Sequence, residues 1–327
     1  MKLRSFRLSA LLCCFILLSA LCGCAPSNAG VKEFSPDVTV TANAQRAEIT
    51  LEGTADLPDG TLLTVQIDGA NAARNAILEQ YGSYTALPVW CDNNGFAALS
   101  FPAQTAVVQD GKFFVALPMD GAPYQTYSIS LSVMPDEGQP EAVIKLLDAQ
   151  TAPTDSTIGL HAVVEAVYPN PQAAEETTAA ALAKAEAFIA PQLANLDKLC
   201  KATAQVYTDM LQNDRKLSKL TPSSEAVCTI AVDGDCVVMT LDNVYWDYYL
   251  HPDLEVYQPD DYRDTLAESW MLPALQQFEG TIQILYGHKP CGKFLASDGR
   301  VIAVASTDYE ITFREISELD AVSSGSV

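Results

Sequence analysis

The amino-acid sequence predicts an all-β sandwich followed by an α+β domain in which a long helix packs on an antiparallel sheet. Three observations lead to this fold class. Residues 36–148 alternate between apolar and polar side chains in short runs that turn residues separate. Residues 182–210 carry apolar side chains at every third or fourth position, as one face of a helix does. Asp233-Gly234 stands between two alternating runs, which is the strongest short-range signal of a β-hairpin.

The chain begins with a basic segment and an apolar segment. Three basic residues among the first seven precede a nearly unbroken apolar run from Leu8 to Leu21. This layout is typical of a secretory signal peptide, and the run is shorter than the roughly 20 residues that a membrane-spanning helix needs. We therefore expect residues 1–23 to be a cleaved signal peptide and residues 24–35 to be a tether.

The end of this segment, Leu21-Cys22-Gly23-Cys24, resembles the lipobox of bacterial lipoproteins. Leu21 matches its branched apolar position and Gly23 the small residue before the cleavage site, whereas Cys22 replaces the usual Ala or Ser. The resemblance implies that Cys24 carries a diacylglyceryl thioether and further acyl chains such as palmitate. Two or more acyl chains hold a protein on a bilayer far better than one. The resemblance to a lipobox thus implies a protein that is anchored by lipid in the cell membrane and faces outside the cytoplasm.

The charge of the chain excludes some classes of partner. The chain carries 41 acidic and 19 basic residues, for a net charge of −22 at pH 7. Removal of the signal peptide would remove basic residues and no acidic one. This balance argues against nucleic acid as a partner and against docking on anionic lipid through a basic patch.

The cysteines give no disulfide framework. Beyond Cys24 the chain has five, namely Cys91, Cys200, Cys228, Cys236 and Cys291. Because five is odd, at least one thiol stays free or pairs between chains. A chain of this size buries enough core not to need disulfides. We expect mostly buried free thiols, and one bridge remains an open alternative.

Residues 36–148 are predicted to form seven short strands. They are Val38–Thr41, Ala47–Leu51, Thr61–Ile67, Phe96–Phe101, Lys112–Leu117, Thr126–Val133 and Ala142–Leu147. Seven such strands with turns between them match an immunoglobulin-like sandwich. The turn at residues 57–61, with the strand after it, loosely resembles bacterial Ig-like domains. Between the third and fourth strands we expect an irregular segment with a short helix at Ala70–Gln80.

Residues 149–157 are small and polar and are predicted to be a linker to a second domain at 158–316. This domain opens with a strand, Ile158–Tyr168, and a long helix. The apolar face of the helix is predicted to comprise Leu182, Ala185, Ile189, Leu193, Leu196, Leu199 or Cys200, Thr203, Val206 and Met210. Pro191 should kink the helix or begin a second one. The stripe is only moderately wide, so we expect it to pack on the sheet rather than to form a coiled coil.

A hairpin at Glu225–Asn243 follows, and its predicted register pairs Val232 with Asp235. In this register Cys228 and Cys236 point to opposite faces, which disfavours a disulfide between them. The remaining predicted elements are a helix after Pro259 with Leu266, Trp270, Leu275 and Phe278 on its apolar face and a break near Pro273, a strand at Thr281–Tyr286, a hairpin at Phe294–Ala305, a strand at Tyr309–Ile316 and a disordered tail at 317–327.

No catalytic or metal-binding pattern is recognisable, and we expect no metal and no cofactor. His161, His251 and His288 lack a second ligand at helical spacing. His288 and Cys291 lack the third group that a nucleophilic pair needs. Asp92 to Gly95 fails the EF-hand pattern and is interpreted as a turn.

The densest aromatic cluster is a candidate surface for a ligand or partner. It comprises Tyr245, Trp246, Tyr248, Tyr249 and Tyr257. Exposed Tyr and Trp beside Asp would suit a sugar or a protein surface. Packing between domains or against a helix is the alternative explanation.

These patterns together predict a membrane-anchored extracytoplasmic lipoprotein that binds an envelope protein or a glycan without catalysis. The alternatives are a cell-envelope hydrolase whose site lies in the second domain and an assembly protein built around the long helix. A deep pocket with converging polar groups would favour the hydrolase, and a shallow aromatic surface would favour the binding protein.

Overall fold

A computed structural model describes residues 34–135, 138–148, 159–213, 227–241 and 266–314. The described residues form several β-sheets, mostly antiparallel, and a long helix that packs on one of them. The strands are β1 (Asp37–Asn43), β2 (Glu48–Thr54), β3 (Leu62–Ile67), β4 (Gln104–Val107), β5 (Lys112–Pro118), β6 (Gln125–Val133), β7 (Leu160–Tyr168), β8 (Cys228–Asp233), β9 (Cys236–Leu241), β10 (Cys291–Ala296), β11 (Val301–Ala305) and β12 (Ile311–Phe313). The α-helices are α1 (Ala72–Tyr81), α2 (Leu87–Asn93), α3 (Glu141–Asp148), α4 (Pro171–Asn213), α5 (Leu272–Gln276) and α6 (Glu279–Tyr286).

The chain divides into two compact units, and neither is continuous in sequence. The first unit comprises the chain up to Asp68 together with Ser100–Gly121 and Thr126–Tyr168. The second comprises Gly69–Leu99, Ala122–Gln125 and the chain from Pro169 onward.

The predicted domains at 36–148 and 158–316 are continuous and so differ from these units. Strand β7 groups with the first unit, and the segment that carries α1 and α2 groups with the second. The predicted signal peptide and linker lie outside the described residues, as do nearly all of the tether and the whole tail.

The first unit contains a three-stranded sheet, in the order β1-β2-β5, and a four-stranded sheet, in the order β4-β3-β6-β7. Apolar residues at every second position decide the face that each strand buries. In β2, Ile49 and Leu51 are fully buried, and in β6 Ile129 and Leu131 are. Each of the two sheets therefore has one buried apolar face and one face that is exposed or half-buried.

Two of the seven predicted strands are wrong. Phe96–Phe101 is irregular, because its backbone bonds to the end of α2 and to Gly69 instead of a neighbouring strand. The nearby strand β4 begins only after Pro102, which cannot donate to a ladder. Ala142–Leu147 lies in helix α3, where Val143 and Leu147 are buried at helical spacing. Such short apolar runs fit a strand and a buried helix equally well.

A buried side chain extends the ladder of β3 in the first unit. The Nε2 of Gln139 donates to the carbonyl of Leu62 at 2.7 Å, and its Oε1 accepts from the Leu62 N–H at 2.9 Å. The amide thus occupies the place where a further residue of β6 would pair, since that pairing stops at Thr64. Gln139 is 6 % exposed, so water does not readily replace it.

Replacing Gln139 by alanine is expected to lower the free energy of unfolding by about 2 kcal/mol. The reason is that a donor and an acceptor of Leu62 lose their partner at a place that water reaches poorly. Urea unfolding measures the effect. The exposed Gln109 of the same unit is the matched control, and its replacement by alanine should cost less than about 0.5 kcal/mol. Equal costs for the two variants would contradict this role of Gln139.

The second unit contains a five-stranded sheet in the order β12-β11-β10-β9-β8. The pairings are antiparallel except that of β10 with β9, which is parallel, so the expectation of an all-antiparallel sheet is wrong here. The predicted hairpin around Asp298-Gly299 is confirmed as β10 and β11, and the last predicted strand as β12.

Helix α4 is one continuous helix of 43 residues that contains Pro191, so this proline does not begin a second helix. The alternative, a kink at Pro191, stays a prediction. The predicted packing on the sheet is confirmed, since α4 packs on β8 and also on α1 and α6. Its buried residues are Ala181, Ala185, Ile189, Leu196, Thr203, Tyr207 and Leu211. The predicted Val206 and Met210 are exposed instead. A seven-residue repeat drifts by about 20° per repeat on a straight helix, so the buried face has moved to the next position.

The segment after residue 265 is helical, and the predicted apolar residues Leu266, Leu275 and Phe278 are buried. A wide π-helical turn, Ala267–Met271, precedes Pro273, and the helix continues as α5 instead of breaking. The predicted strand Thr281–Tyr286 is wrong, because these residues belong to α6. Its buried residues, Thr281, Ile282 and Leu285, follow helical spacing, and Gly287 ends the helix at φ +80°.

The hairpin of β8 and β9 is confirmed, with a register shifted by two residues. Asp233 pairs with Cys236, and the turn consists of Gly234 and Asp235. Gly234 has φ +64°, which suits the first position of a two-residue hairpin turn. A shift of two keeps every side chain on its face. Cys228 and Cys236 therefore lie on opposite faces, as predicted.

Candidate functional site

The site residues that the sequence predicts lie outside the described part of the chain. This applies to Cys24 and to the whole aromatic cluster, Tyr245, Trp246, Tyr248, Tyr249 and Tyr257. Their roles as a lipid attachment point and as a binding surface stay predictions.

The other residues considered for chemistry are described, apart from His251. His161 is exposed on β7. The Nε2 of His288 lies 3.5 Å from the carboxylate of Asp235, and its Nδ1 lies 2.8 Å from the carbonyl oxygen of Lys289. Asp92 and Asn93 end helix α2, and Gly95 follows at φ +87°, so this segment is a turn.

The second unit contains a groove between helix α4 and the edge strand β8, which we call the edge-strand groove. Its volume is about 440 Å³. The groove is lined by Tyr84, Leu193, Leu196, Asp197, Cys200, Ile230, Ala231, Val232, Gly234 and Tyr286.

Helix α4 forms one wall of the groove. Leu193, Leu196, Asp197 and Cys200 follow one another at helical spacing and so share a face. Leu196 is buried beneath this wall, whereas Leu193 is 40 % exposed at its surface. The predicted apolar stripe of the helix thus includes a residue that is partly free for contact with a ligand.

Strand β8 forms the opposite wall and is the edge strand of the sheet that the described residues build. Because the hairpin turn has two residues, Asp233 and Cys236 exchange backbone hydrogen bonds. From Asp233 on, every second residue of β8 bonds to β9, and the residues between them do not. The backbone groups of Ile230 and Val232 therefore point away from β9. The Cys228 N–H also points away from β9, because it donates to Thr208 Oγ1 on α4 at 3.0 Å. Beyond this contact, the outward backbone groups of Ile230 and Val232 face the edge-strand groove.

Two tyrosines close one end of the groove. The rings of Tyr84 and Tyr286 meet edge to face, with their centroids 5.6 Å apart. The segment before α2 is held against the end of α6, since Thr85 Oγ1 donates to the carbonyl of Tyr286 at 2.6 Å. The Ala86 N–H likewise donates to the carbonyl of Leu285 at 3.1 Å. These bonds hold the aromatic pair in place.

The groove offers polar contacts without an activated nucleophile. Burial raises the pKa of the Cys200 thiol, and the carboxylate of Asp197 raises it further, so the thiol stays protonated at neutral pH. Burial likewise raises the pKa of Tyr286, with smaller contributions from Tyr84 and from Asp235 and Asp233. The rim is therefore acidic, while the walls are apolar and aromatic. Such an arrangement suits binding.

A second, larger depression lies on the exposed face of the three-stranded sheet in the first unit. It has a volume of about 860 Å³ and is lined by Asp37, Thr39, Glu52, Gly53, Thr54, Val107, Gln109, Asp110, Lys112, Phe113 and Phe114. Phe114 is 57 % exposed there and pairs across strands with Glu52. Most of these residues are polar, and the depression lies on an open sheet face, so it encloses a ligand less well than the edge-strand groove does.

The edge-strand groove could not be recognised from the sequence. The sequence patterns predicted α4 and the hairpin one after the other along the chain, but not that they form the two walls of a groove. The position of β8 at the sheet edge depends on the parallel pairing of β10 with β9, which brings together strands far apart in sequence. Leu193 was predicted as part of the apolar stripe of α4, but the sequence did not indicate that it is exposed in a groove.

No protein-family model, no curated protein and no solved structure matches this chain. No helix among the described residues has both the length and the apolar character that crossing a membrane requires. Within the same ranges, no three His, Cys, Asp or Glu side chains come together as metal ligands would.

Proposed function

We propose that the protein is an extracytoplasmic lipoprotein, anchored through acylated Cys24, that binds an extended segment of another envelope protein in the edge-strand groove. The edge of β8 beside the groove is the observation that carries this proposal. The resemblance of Leu21 to Cys24 to a lipobox supports the anchor, and the acidic composition agrees with export.

We further propose that the first unit is an immunoglobulin-like sandwich that serves as a spacer or a co-receptor. The seven strands that the structure describes in this unit divide into sheets of three and four, and both sheets have an apolar face. Strand β1 begins at Asp37, shortly after the predicted tether, so this unit follows the anchor directly in the chain. Two sheets of three and four strands are typical of immunoglobulin-like sandwiches.

An extended peptide fits the edge-strand groove for three reasons. The outward backbone groups of Ile230 and Val232 can continue a β-ladder with an added strand, which supplies affinity through main-chain hydrogen bonds. Leu193 and the tyrosine pair can receive alternate side chains of that strand. The carboxylates of Asp197 and of the hairpin turn favour a peptide with Lys or Arg near its apolar residues.

Replacing Val232 by proline is expected to weaken binding of the partner at least tenfold while leaving the fold intact. Proline removes the outward N–H that an added strand would use, and edge strands tolerate proline where the N–H faces away from the sheet. A photo-reactive residue at position 193 should form an adduct with an envelope polypeptide in cells, and the adduct should be lost in the Val232→Pro variant. The same probe at Val206, exposed on another side of α4, is the control position.

Two further variants sharpen this test. Val232→Thr keeps the N–H and a branched side chain, so it should retain the adduct. Ala231→Pro removes an N–H that bonds to β9, so it should lower the unfolding temperature, which Val232→Pro should not do. An equal adduct from positions 193 and 206, or one that survives in Val232→Pro, would contradict the proposal. An adduct that contains polysaccharide and no polypeptide would favour the glycan alternative.

A further inference from the structure

Cys236 and Cys291 stand side by side in the sheet of the second unit. Cys236 begins β9 and Cys291 begins β10, and the two residues are direct partners in the parallel register of these strands. The Cys291 N–H donates to the carbonyl of Asp235 at 3.3 Å, which holds this register at the strand ends. Their side chains share one face of the sheet, and their thiols form a hydrogen bond with each other.

We propose that Cys236 and Cys291 are a disulfide-forming pair, oxidised by thiol–disulfide exchange with a small-molecule or protein disulfide. The inference goes beyond the proposed function, since it concerns the chemistry of two thiols and not the partner in the groove. Both cysteines are free thiols in this structure, which is the reduced form of the pair.

The geometry of neighbouring strands permits this bond. Adjacent strands lie about 4.8 Å apart, and partner residues in register have Cα atoms at a similar separation. That value falls within the range of about 4.4–6.8 Å that disulfides span. The Cβ atoms of such partners lie slightly farther apart than the roughly 3.5–4.5 Å usual in disulfides. Closing the bridge therefore draws the strand ends together, and the resulting disulfide should be readily reducible.

The other three cysteines that the structure describes lack a partner placed in this way. Cys228 lies on the opposite face of the hairpin from Cys236. Cys91 is fully buried in α2, and Cys200 lies on α4 in the groove. Among the described cysteines, Cys236 and Cys291 are the two whose register places them opposite each other on neighbouring strands.

The exchange proceeds in two balanced steps. Cys291, which is the more exposed of the two, loses its proton and attacks one sulfur of the external disulfide. This forms a mixed disulfide and releases one thiolate, which takes up a proton. Cys236 then loses its proton and attacks the Cys291 sulfur, which releases the second thiolate. The two protein thiols are oxidised, and the external disulfide is reduced to two thiols.

The surroundings of the pair make the exchange slow at neutral pH and faster above it. Burial raises the pKa of Cys236 to about 12, and the hydrogen bond with Cys291 contributes to the rise. Burial also raises the pKa of Cys291, although the hydrogen bond from Cys236 opposes this. Asp235 further raises both pKa values and Lys293 lowers them, while His288 lies beside Asp235. Because the thiolate attacks, the rate should rise about tenfold per pH unit between pH 7 and 8.

The test is oxidation of the full-length protein, purified in detergent, by oxidised glutathione. After acid quenching, alkylation of the remaining thiols and digestion, mass spectrometry should find most of Cys236 linked to Cys291. Reduction with dithiothreitol should reverse the link. The thermal unfolding midpoint of the oxidised protein should be higher than that of the reduced protein, because the bridge closes a long loop of the unfolded chain.

Matched variants decide whether the bond is specific. Cys200→Ser should still form the Cys236–Cys291 link, whereas Cys236→Ser should stop at the glutathione adduct of Cys291. If both cysteines of the unsubstituted protein stay alkylatable, retain glutathione or link to other cysteines, the inference is wrong. The measurement on the unsubstituted protein does not depend on whether any variant folds. The outcome is also independent of the proposed function, because formation of the bond requires neither lipid on Cys24 nor a partner in the groove.

Discussion

Replacing Cys24 by alanine is expected to move the protein from the membrane fraction to the soluble fraction. If Cys24 carries the diacylglyceryl group, each buried methylene of its acyl chains contributes about 0.8 kcal/mol to membrane binding. Loss of all the chains should reduce the membrane-bound fraction at least 100-fold. Fractionation of cells and partition into a detergent phase measure this change, and mass spectrometry of the N-terminal peptide detects the lipid.

Cys22→Ala is the matched control for this substitution. It removes the neighbouring cysteine and restores the small residue that a lipobox usually has before Gly23. We therefore expect this variant to remain anchored and to carry the same lipid on Cys24. If Cys22→Ala releases the protein, or if Cys24→Ala stays on the membrane, lipid attachment at Cys24 is wrong. An uncleaved apolar segment would then be the better explanation of membrane binding.

The fold was predictable where a periodic pattern was long or where a turn signal was strong. Strand β6 alternates over nine residues, and α4 keeps its apolar spacing over many turns, so both were recognised. The runs at 142–147 and 281–286 are short, and both proved to be helices. A run of six residues contains too few periods to separate spacings of two and 3.6.

Pairing between distant parts of the chain was not predictable. Strand β7 joins β6 in the first unit although a long segment separates them, and β10 lies parallel to β9 across another. These pairings place β8 at the sheet edge and bring Cys236 beside Cys291. The edge-strand groove and the thiol pair are thus consequences of topology that local patterns do not encode. Among the placements of the cysteines relative to one another, the sequence predicted that Cys228 and Cys236 lie on opposite faces. This placement was predictable because it depends on alternation within one hairpin.

The core of the second unit depends on side chains that the sheet presents to the helices. Phe294 is fully buried in the middle of β10. Its strand partners are Met239 on β9 and Ala303 on β11, and both are buried beside it in the same apolar cluster. The small Ala303 leaves room for the ring. A phenylalanine in such a place contributes through its buried area and through close packing with all its neighbours.

Replacing Phe294 by alanine is therefore expected to lower the free energy of unfolding by about 4 kcal/mol, because the change removes the ring from the core and leaves a cavity. Since domains of this kind are stable by only about 5–15 kcal/mol, this variant should unfold at a much lower urea concentration. The adjacent Lys293 is the matched control, because it is exposed on the opposite face of the same strand. Lys293→Ala should change the stability by less than about 0.5 kcal/mol. If the two substitutions cost the same, the assignment of the buried face of β10 is wrong, and with it the face on which Cys291 lies.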